Sequence, residues 1–357
     1  MSSTARRATI ADVAREAGVS TSTASVVFSG KVNVADATRE KVLTAAAALG
    51  YAGPDPRAAS LRLGRSGIVG VVLGGELRYA FLDPVTTAMM DGLSDALAAD
   101  SAGILLLRDD PQGDEAPPIT EAPVDAVVLI GCSGRTRAAL DTVRQRGLPV
   151  VVIEGDAGEG VPQITLDNRE ASAQISRYVF QLGHTNVATV TLALDAERER
   201  GPITAERVAA ATVDVTLHRL AGFREVYPDA DGVTAAASLA DEGMIAARSL
   251  LTDASGALRA DRPTAIVAQS DLLAVGVIRA AEELGLRVPE DLTVVGFDGI
   301  NADGLGSLKL TTVAQPAVAK GRAAGEQVIR MLAGEPGESV HFTCTFREGQ
   351  TTAPPAR

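Results

Sequence analysis

Residue types that commonly carry catalysis occur along the 357-residue chain, but none stands in a catalytic pattern. His184, His218 and His341 are isolated. No HExxH, CxxC or phosphate-loop glycine run occurs, so no metal, nucleotide or other cofactor is implied. Ser133, in Gly131-Cys-Ser-Gly134, lacks the GxSxG spacing of a nucleophile elbow and reads as a turn after a strand. Cys132 and Cys344 are too few for a disulfide framework and fit a reducing cytoplasm. Enzyme chemistry therefore finds no support. Chemistry of another kind is visible near the N-terminus, where Ser20, Thr21 and Ser22 open a short helix. Short hydroxyl side chains at a helix N-terminus can reach the base edges or phosphates of DNA.

The elements that must position those hydroxyls read as three short helices. Thr9 can cap the first, with Asp12 favouring the helix dipole, and Ile10, Val13, Ala14 and Ala17 form its apolar stripe. Gly18 ends it. Ser20 caps a second helix whose inner face is Ala24, Val27 and Phe28, and a third runs from roughly Ala37 to Leu49 and stops at Gly50. Two helices so tightly joined and backed by a third make a helix-turn-helix, whose second helix can enter a major groove. Charge supports this. Residues 1–67 hold nine Lys/Arg against five acids, a balance of +4, which leaves −16 for the rest of a chain whose net charge is −12. A basic head on an acidic body is the asymmetry expected when one end meets phosphate.

Pro54 and Pro56 break the chain, and Arg57–Leu63 has helical potential but too little apolar surface to order without a partner. From Ile68 onward the pattern becomes α/β. Apolar strands are expected at Ile68–Leu73, Gly103–Leu107, Val124–Ile130, Pro149–Ile153, Val187–Leu192, Thr264–Ala268 and Leu292–Phe297. Between them lie the helical stretches Pro84–Ala99, Arg135–Arg146, Arg169–Leu182, Glu242–Leu251, Asp271–Leu284 and Ala317–Leu332. Continuous Val/Ile runs separated by helices imply parallel sheets covered on both faces, and about 290 residues exceed one comfortable core. Two doubly wound lobes with a cleft between them follow. Two polar stretches interrupt the pattern: Asp109–Pro123, too proline-rich for a helix, and Asp195–Thr204. The polar N-terminus lacks an apolar signal region and the longest apolar runs are strand-sized, so neither secretion nor a membrane span is expected.

The run from Thr9 to Ser25, with Thr38-Arg-Glu-Lys-Val-Leu and Leu49-Gly-Tyr51, resembles the N-terminus of LacI/GalR-type bacterial transcription regulators. Ala59-Ser-Leu-Arg62 with Gly64-Arg-Ser66 resembles the hinge of that family. Further similarities follow in family order at Asp167-Asn168, Leu182-Gly-His184, Arg219-Leu-Ala-Gly-Phe223, Ser270-Asp271, Val295-Gly-Phe-Asp298, Leu310-Thr-Thr-Val313 and Gln315-Pro316. The resemblance implies a helix-turn-helix head over residues 1–55, a hinge over 56–66 and a periplasmic-binding-protein-like core over 67–357. Within the core it suggests an N-lobe of about 67–167 plus 299–322 and a C-lobe of about 168–298 plus 323–357. It also implies a cytoplasmic regulator, a repressor, that binds a pseudo-palindromic operator in double-stranded DNA as a homodimer or dimer-based oligomer. A small effector, a sugar or sugar derivative, would occupy the cleft. The alternatives are a solute-binding protein or a cleft enzyme without operator function.

The resemblance assigns DNA contact to Thr9, Ser20, Thr21, Ser22, Ser25, Val26, Ser29, Arg57, Ala58 and Leu61. Val26 stands where the family often has an arginine that grips guanine, and valine can make only apolar contact, for example with a thymine methyl. Leu61 either wedges into the minor groove at the operator centre or packs as a linker residue on the core. Effector contact is assigned to Phe81, Arg219, Ser270 and Asp298. Arginine offers a rigid fork of donors, and a carboxylate at a strand end accepts bonds from hydroxyls. The alternatives are a structural ion pair for Arg219 and Asp298, and a core position for Phe81.

Overall fold

The computed structural model describes residues 8–29, 34–53, 64–74, 77–109, 118–131, 134–155, 157–300 and 308–356. Contacts divide the chain into two units, residues 1–67 and 68–357.

In the first unit, α1 (Ile10–Ala17), α2 (Thr21–Ser29) and α3 (Asp36–Ala48) enclose a core of Val13, Ala14, Ala24, Val27, Val42, Ala45 and Ala46. These are small residues, so the helices approach closely. Phe28 closes one end by packing edge-on against Tyr51, ring centroids 5.3 Å apart. Gly18 adopts φ 66°, the left-handed conformation that lets the chain leave α1 and enter α2 within three residues.

The second unit begins with β1 (Ile68–Gly74), the short α4 (Leu77–Leu82), α5 (Pro84–Ala98) and β2 (Gly103–Asp109). It continues through β3 (Ala126–Ile130), α6 (Gly134–Gln145), β4 (Val150–Ile153), β5 (Gln163–Leu166) and α7 (Asn168–Gln181). Then come β6 (Val187–Thr191), β7 (Gly201–Pro202), α8 (Ala205–Ala209), α9 (Asp214–Arg224), β8 (Gly232–Thr234) and α10 (Ala240–Leu251). The last elements are β9 (Ala265–Ala268), α11 (Asp271–Glu283), β10 (Thr293–Asp298), β11 (Thr311–Ala314), α12 (Ala317–Leu332), β12 (Val340–Phe342) and β13 (Thr345–Arg347).

Two sheets form among the described residues. The first has the order β12-β5-β4-β3-β1-β2 and is parallel throughout. The second has the order β13-β11-β10-β9-β6-β8-β7, with a parallel centre and antiparallel pairs at both edges. Each carries apolar clusters on both faces, which explains why β3, β4 and β9 read as unbroken runs of Val, Ile, Leu and Ala. Pro118–Thr120 form one 3-10 turn that buries Ile119, and residues 110–117 lie outside the described set.

The chain crosses between the lobes three times, at Asp167, at Gln315–Pro316 and between β12 and β13. The last two crossings correct the lobe boundaries expected from sequence. Residues 311–314, expected in the N-lobe, form β11 and pair with β10 of the second sheet. Much of the expected C-lobe stretch 323–357 belongs instead to the first lobe. There α12 packs on α5 and β12 pairs with β5. The physical reason is contact at very short range. A Cβ at Gly321 would lie 1.8 Å from the Met89 carbonyl, and one at Gly92 would lie 1.9 Å from that of Val318. Only paired glycines let α5 and α12 meet so closely, and apolar periodicity alone does not say which sheet a helix covers.

Candidate functional site

Thr9 is the N-cap of α1. Its backbone N–H and hydroxyl both donate to the Asp12 carboxylate, and its Oγ1 accepts from Asp12 N at 3.4 Å. Those hydrogen bonds, chiefly the one from the Thr9 hydroxyl, hold Asp12 at a pKa of about 2. Ser20 does the same work for α2: its Oγ accepts from Thr23 N at 3.0 Å and lies 2.8 Å from Ser22 Oγ. Ala24 and Val27 point into the core, which turns Thr21 and Ser22 outward and leaves Ser25 and Val26 half-buried. The α2 hydroxyls thus form one accessible row. The side chain of Ser29 and all of Arg57, Ala58 and Leu61 lie outside the described residues.

In the second unit a cleft of about 290 Å³ opens between the lobes. It is lined by chain just beyond the carboxyl ends of β1, β3 and β4 on one side and of β6 and β8 on the other. This is where ligands bind in parallel α/β sheets. Its walls are mainly apolar, with polar groups from Asp83, Thr86, Glu154, Asp195, Arg198, Asp214 and Ser238. Asp83 is also the N-cap of α5, accepting from Val85 N at 3.1 Å and from Thr86 Oγ1 at 2.7 Å.

None of the four side chains expected to hold an effector lines this cleft. Phe81 sits on α4 with 64% of its surface exposed, while its neighbour Ala80 reaches the cleft wall. Ser270 is buried as the N-cap of α11 and meets the cleft through Ser238, whose hydroxyl donates to it at 2.9 Å. Arg219 and Asp298 are brought together, but behind the cleft, with Nη1 3.5 Å from Oδ1. The Arg219 guanidinium lies 3.6 Å from the centre of the Phe297 ring and donates to Asn168 Oδ1 at 2.8 Å and to the Gln269 carbonyl at 2.6 Å. Burial pushes Asp298 up to about 7 against the pull of Arg219. Asp271, buried at the start of α11, is also raised well above the usual carboxylate range by burial and by Asp298.

Sequence reasoning missed Asp83, Glu154, Asp195, Arg198, Asp214 and Ser238. A signal existed for some of them. Asp83 directly precedes Pro84 at a helix start, and Glu154 is the first residue past a strand end. Among the described residues no cluster could hold a metal ion, and no helix is long and apolar enough to cross a membrane.

Residues 9–53 match the family of bacterial regulatory proteins of the lacI type, and residues 177–352 match a periplasmic binding protein-like domain. An HTH-type transcriptional regulator of Mycobacterium tuberculosis is 35% identical over 364 aligned residues, covering 98% of each chain. Two solved structures share the fold. The lac repressor dimer bound to operator and an anti-inducer has a TM-score of 0.74 at 20% identity, covering 98% of this chain and 100% of that one. The transcriptional regulator CelR with cellobiose has a TM-score of 0.65 at 23% identity, covering 97% and 100%. With a helix-turn-helix head, a two-lobed core and 35% identity over nearly its whole length to such a regulator, the chain belongs to the lacI family of bacterial regulatory proteins and acts as a DNA-binding transcription regulator, not an enzyme.

Proposed function

We propose that this regulator is a repressor that binds a pseudo-palindromic operator as a homodimer and releases or tightens its grip when a hydroxyl-rich small molecule fills the interlobe cleft. The observation that carries this reading is one chain holding both an outward row of hydroxyls on α2 and a cleft at the strand carboxyl ends. Thr21 and Ser22 are the base-edge and phosphate contacts. Asp83, Asp195, Asp214 and Ser238 offer acceptors and donors of the kind sugar hydroxyls need, between apolar walls that suit ring faces. The two solved neighbours bind, respectively, an operator as a dimer and cellobiose, and this supports the same two partner classes here. Arg219 and Asp298 support the cleft from behind. Operator and effector bias one equilibrium, so each changes the affinity of the other by the same factor.

The test is to select duplexes from a random palindrome library with the full chain, then measure binding to the selected duplex with neutral sugars and sugar derivatives added. Enrichment of a two-fold symmetric sequence and a sugar-dependent affinity are the expected results. Selection of no sequence, or an affinity that no added metabolite shifts, would overturn the reading.

A further inference from the structure

The cleft holds more negative charge than positive, and holds it on both walls. On the first-lobe side stand Asp83, just before α5, and Glu154, just past β4. On the second-lobe side stand Asp195, beyond β6, and Asp214, the first residue of α9. Among the described lining residues one cation, Arg198, faces these four carboxylates. Behind the wall Lys320, its side chain fully buried, donates to Glu154 and balances its charge. With Lys320 assigned to Glu154 and Arg198 to one second-lobe acid, a carboxylate remains in excess on each side of the described lining.

These carboxylates are held in place. Asp83 Oδ1 accepts from Val85 N at 3.1 Å and its Oδ2 from Thr86 Oγ1 at 2.7 Å. Asp195 Oδ1 accepts from Arg198 N at 3.0 Å. A carboxylate has about four lone-pair sites, so each keeps acceptor capacity for a ligand. The charge of Asp83 is felt across the gap. Burial does most to raise Asp298, and Asp83 adds to that rise although it belongs to the other lobe. The rest of the wall is aliphatic, with Leu73, Ile130, Leu192 and Val213 among its members. A cleft lined by one sign of charge between apolar walls focuses the field and concentrates ligands of the opposite sign. Its volume of about 290 Å³ lies at the small end of the range for ligand pockets, about 300–1,000 Å³, and so suits a molecule of one ring.

We propose that the effector is a small hydroxylated amine, an amino sugar or amino polyol, whose ammonium group lies between Asp83 of the first lobe and the Asp195–Asp214 wall of the second. An ammonium has three donors and no acceptor, which matches a site rich in fixed acceptors. The hydroxyls of the same molecule have Thr86, Ser238 and Arg198 as partners. A phosphate or carboxylate on the ligand meets like charge on both walls and is rejected. The inference rests on the repressor reading above and deepens it by naming the class of effector.

The experiment is calorimetry on the full chain without DNA, at neutral pH. The probes are glucosamine, galactosamine and mannosamine, each beside its parent hexose and the 6-phosphate of that hexose. At least one amine should bind about tenfold or more tightly than its parent, the margin of a charge-assisted over a neutral hydrogen bond. Its 6-phosphate partner should bind more weakly than either. Asp83→Asn and Asp195→Asn, which keep an acceptor for the local backbone N–H, should bring the amine-to-parent ratio down towards one without changing the melting temperature. A parent hexose or a 6-phosphate that binds as tightly as its amine overturns the proposal. So does the absence of binding by all three amines, or a preference that survives in both variants. The two readings fail separately. If a neutral sugar and no amine shifts affinity for the selected duplex, the repressor reading stands and this one falls. If no duplex is selected, the repressor reading falls, while the amine preference is still decided without DNA.

Discussion

Two Asp–Arg pairs of similar separation behave in opposite ways. In the head, Arg15 Nη1 lies 3.1 Å from Asp12 Oδ1, with the arginine 76% exposed, and Asp12 falls to about 2 because Thr9 hydrogen-bonds it. In the core, Arg219 and Asp298 are 3.5 Å apart and nearly inaccessible, at 3% and 7%, and Asp298 rises to about 7. The partner is the same residue type in both. What differs is the solvent. In water the hydrogen bonds to the carboxylate dominate, whereas in the interior the loss of hydration outweighs the attraction of one guanidinium. Charge in the head is therefore available to capping and to DNA, while charge in the core is committed to geometry.

Removing a charge should separate the two regions most sharply. Lys320→Met leaves Glu154 buried with its principal counter-charge gone, and should destabilise the core by about 3–5 kcal/mol in urea unfolding. An effect within experimental error would show that Glu154 is solvated in the folded protein. A pH series tests the sign at Asp298. Its folded-state pKa, about 7, lies above the ordinary 3.8, so the folded protein binds the proton more tightly than the unfolded chain. Its contribution to stability is thus fully present below about pH 4 and is lost as pH rises through 7. Asp298→Asn should flatten that part of the stability–pH curve, and an unaltered slope between pH 5 and pH 7 would contradict the burial argument.

Glycines draw a smaller contrast. At Gly321 an added Cβ meets backbone at 1.8 Å, so Gly321→Ala should push α12 from α5 and lower core stability by about 1–3 kcal/mol. At Gly18 a Cβ meets nothing, and only the positive φ opposes Gly18→Ala, at about 1–2 kcal/mol. Thermal melts of the two variants should therefore respond in different units of the chain. The mildest change is Thr9→Ala, which removes the α1 cap. It should cost about 1 kcal/mol, seen as faster amide exchange in residues 10–48 with the core unaffected. Faster exchange in the core of that variant as well would mean that the two units do not unfold independently.

Much of this was legible in the sequence because it is local. The Thr9 cap, the Gly18 stop, the inner faces of α1 and α2 and the outward hydroxyls all follow from bonds and periodicities spanning four residues or fewer. The continuous Val/Ile runs likewise announced strands buried on both faces, because a parallel strand has no solvated side to mark with polar residues. Short strands such as β5, β8, β12 and β13 left no such mark, because polar residues such as Gln163, Thr234, His341 and Arg347 interrupt their three or four positions.

Only the tertiary structure decided the rest. That β11 joins the second sheet while α12 covers the first depends on register and on a glycine contact between residues more than 200 positions apart. The fate of Arg219 and Asp298 depends on it too. Their types promised ligand contact, but Asn168, Gln269, Gln315 and Phe297 surround them and turn them toward one another. Glu154 and Lys320 lie 166 positions apart, and nothing in either neighbourhood signals a pair. Periodicity records which side of an element is buried, whereas what it is buried against is set by the packing of the whole chain.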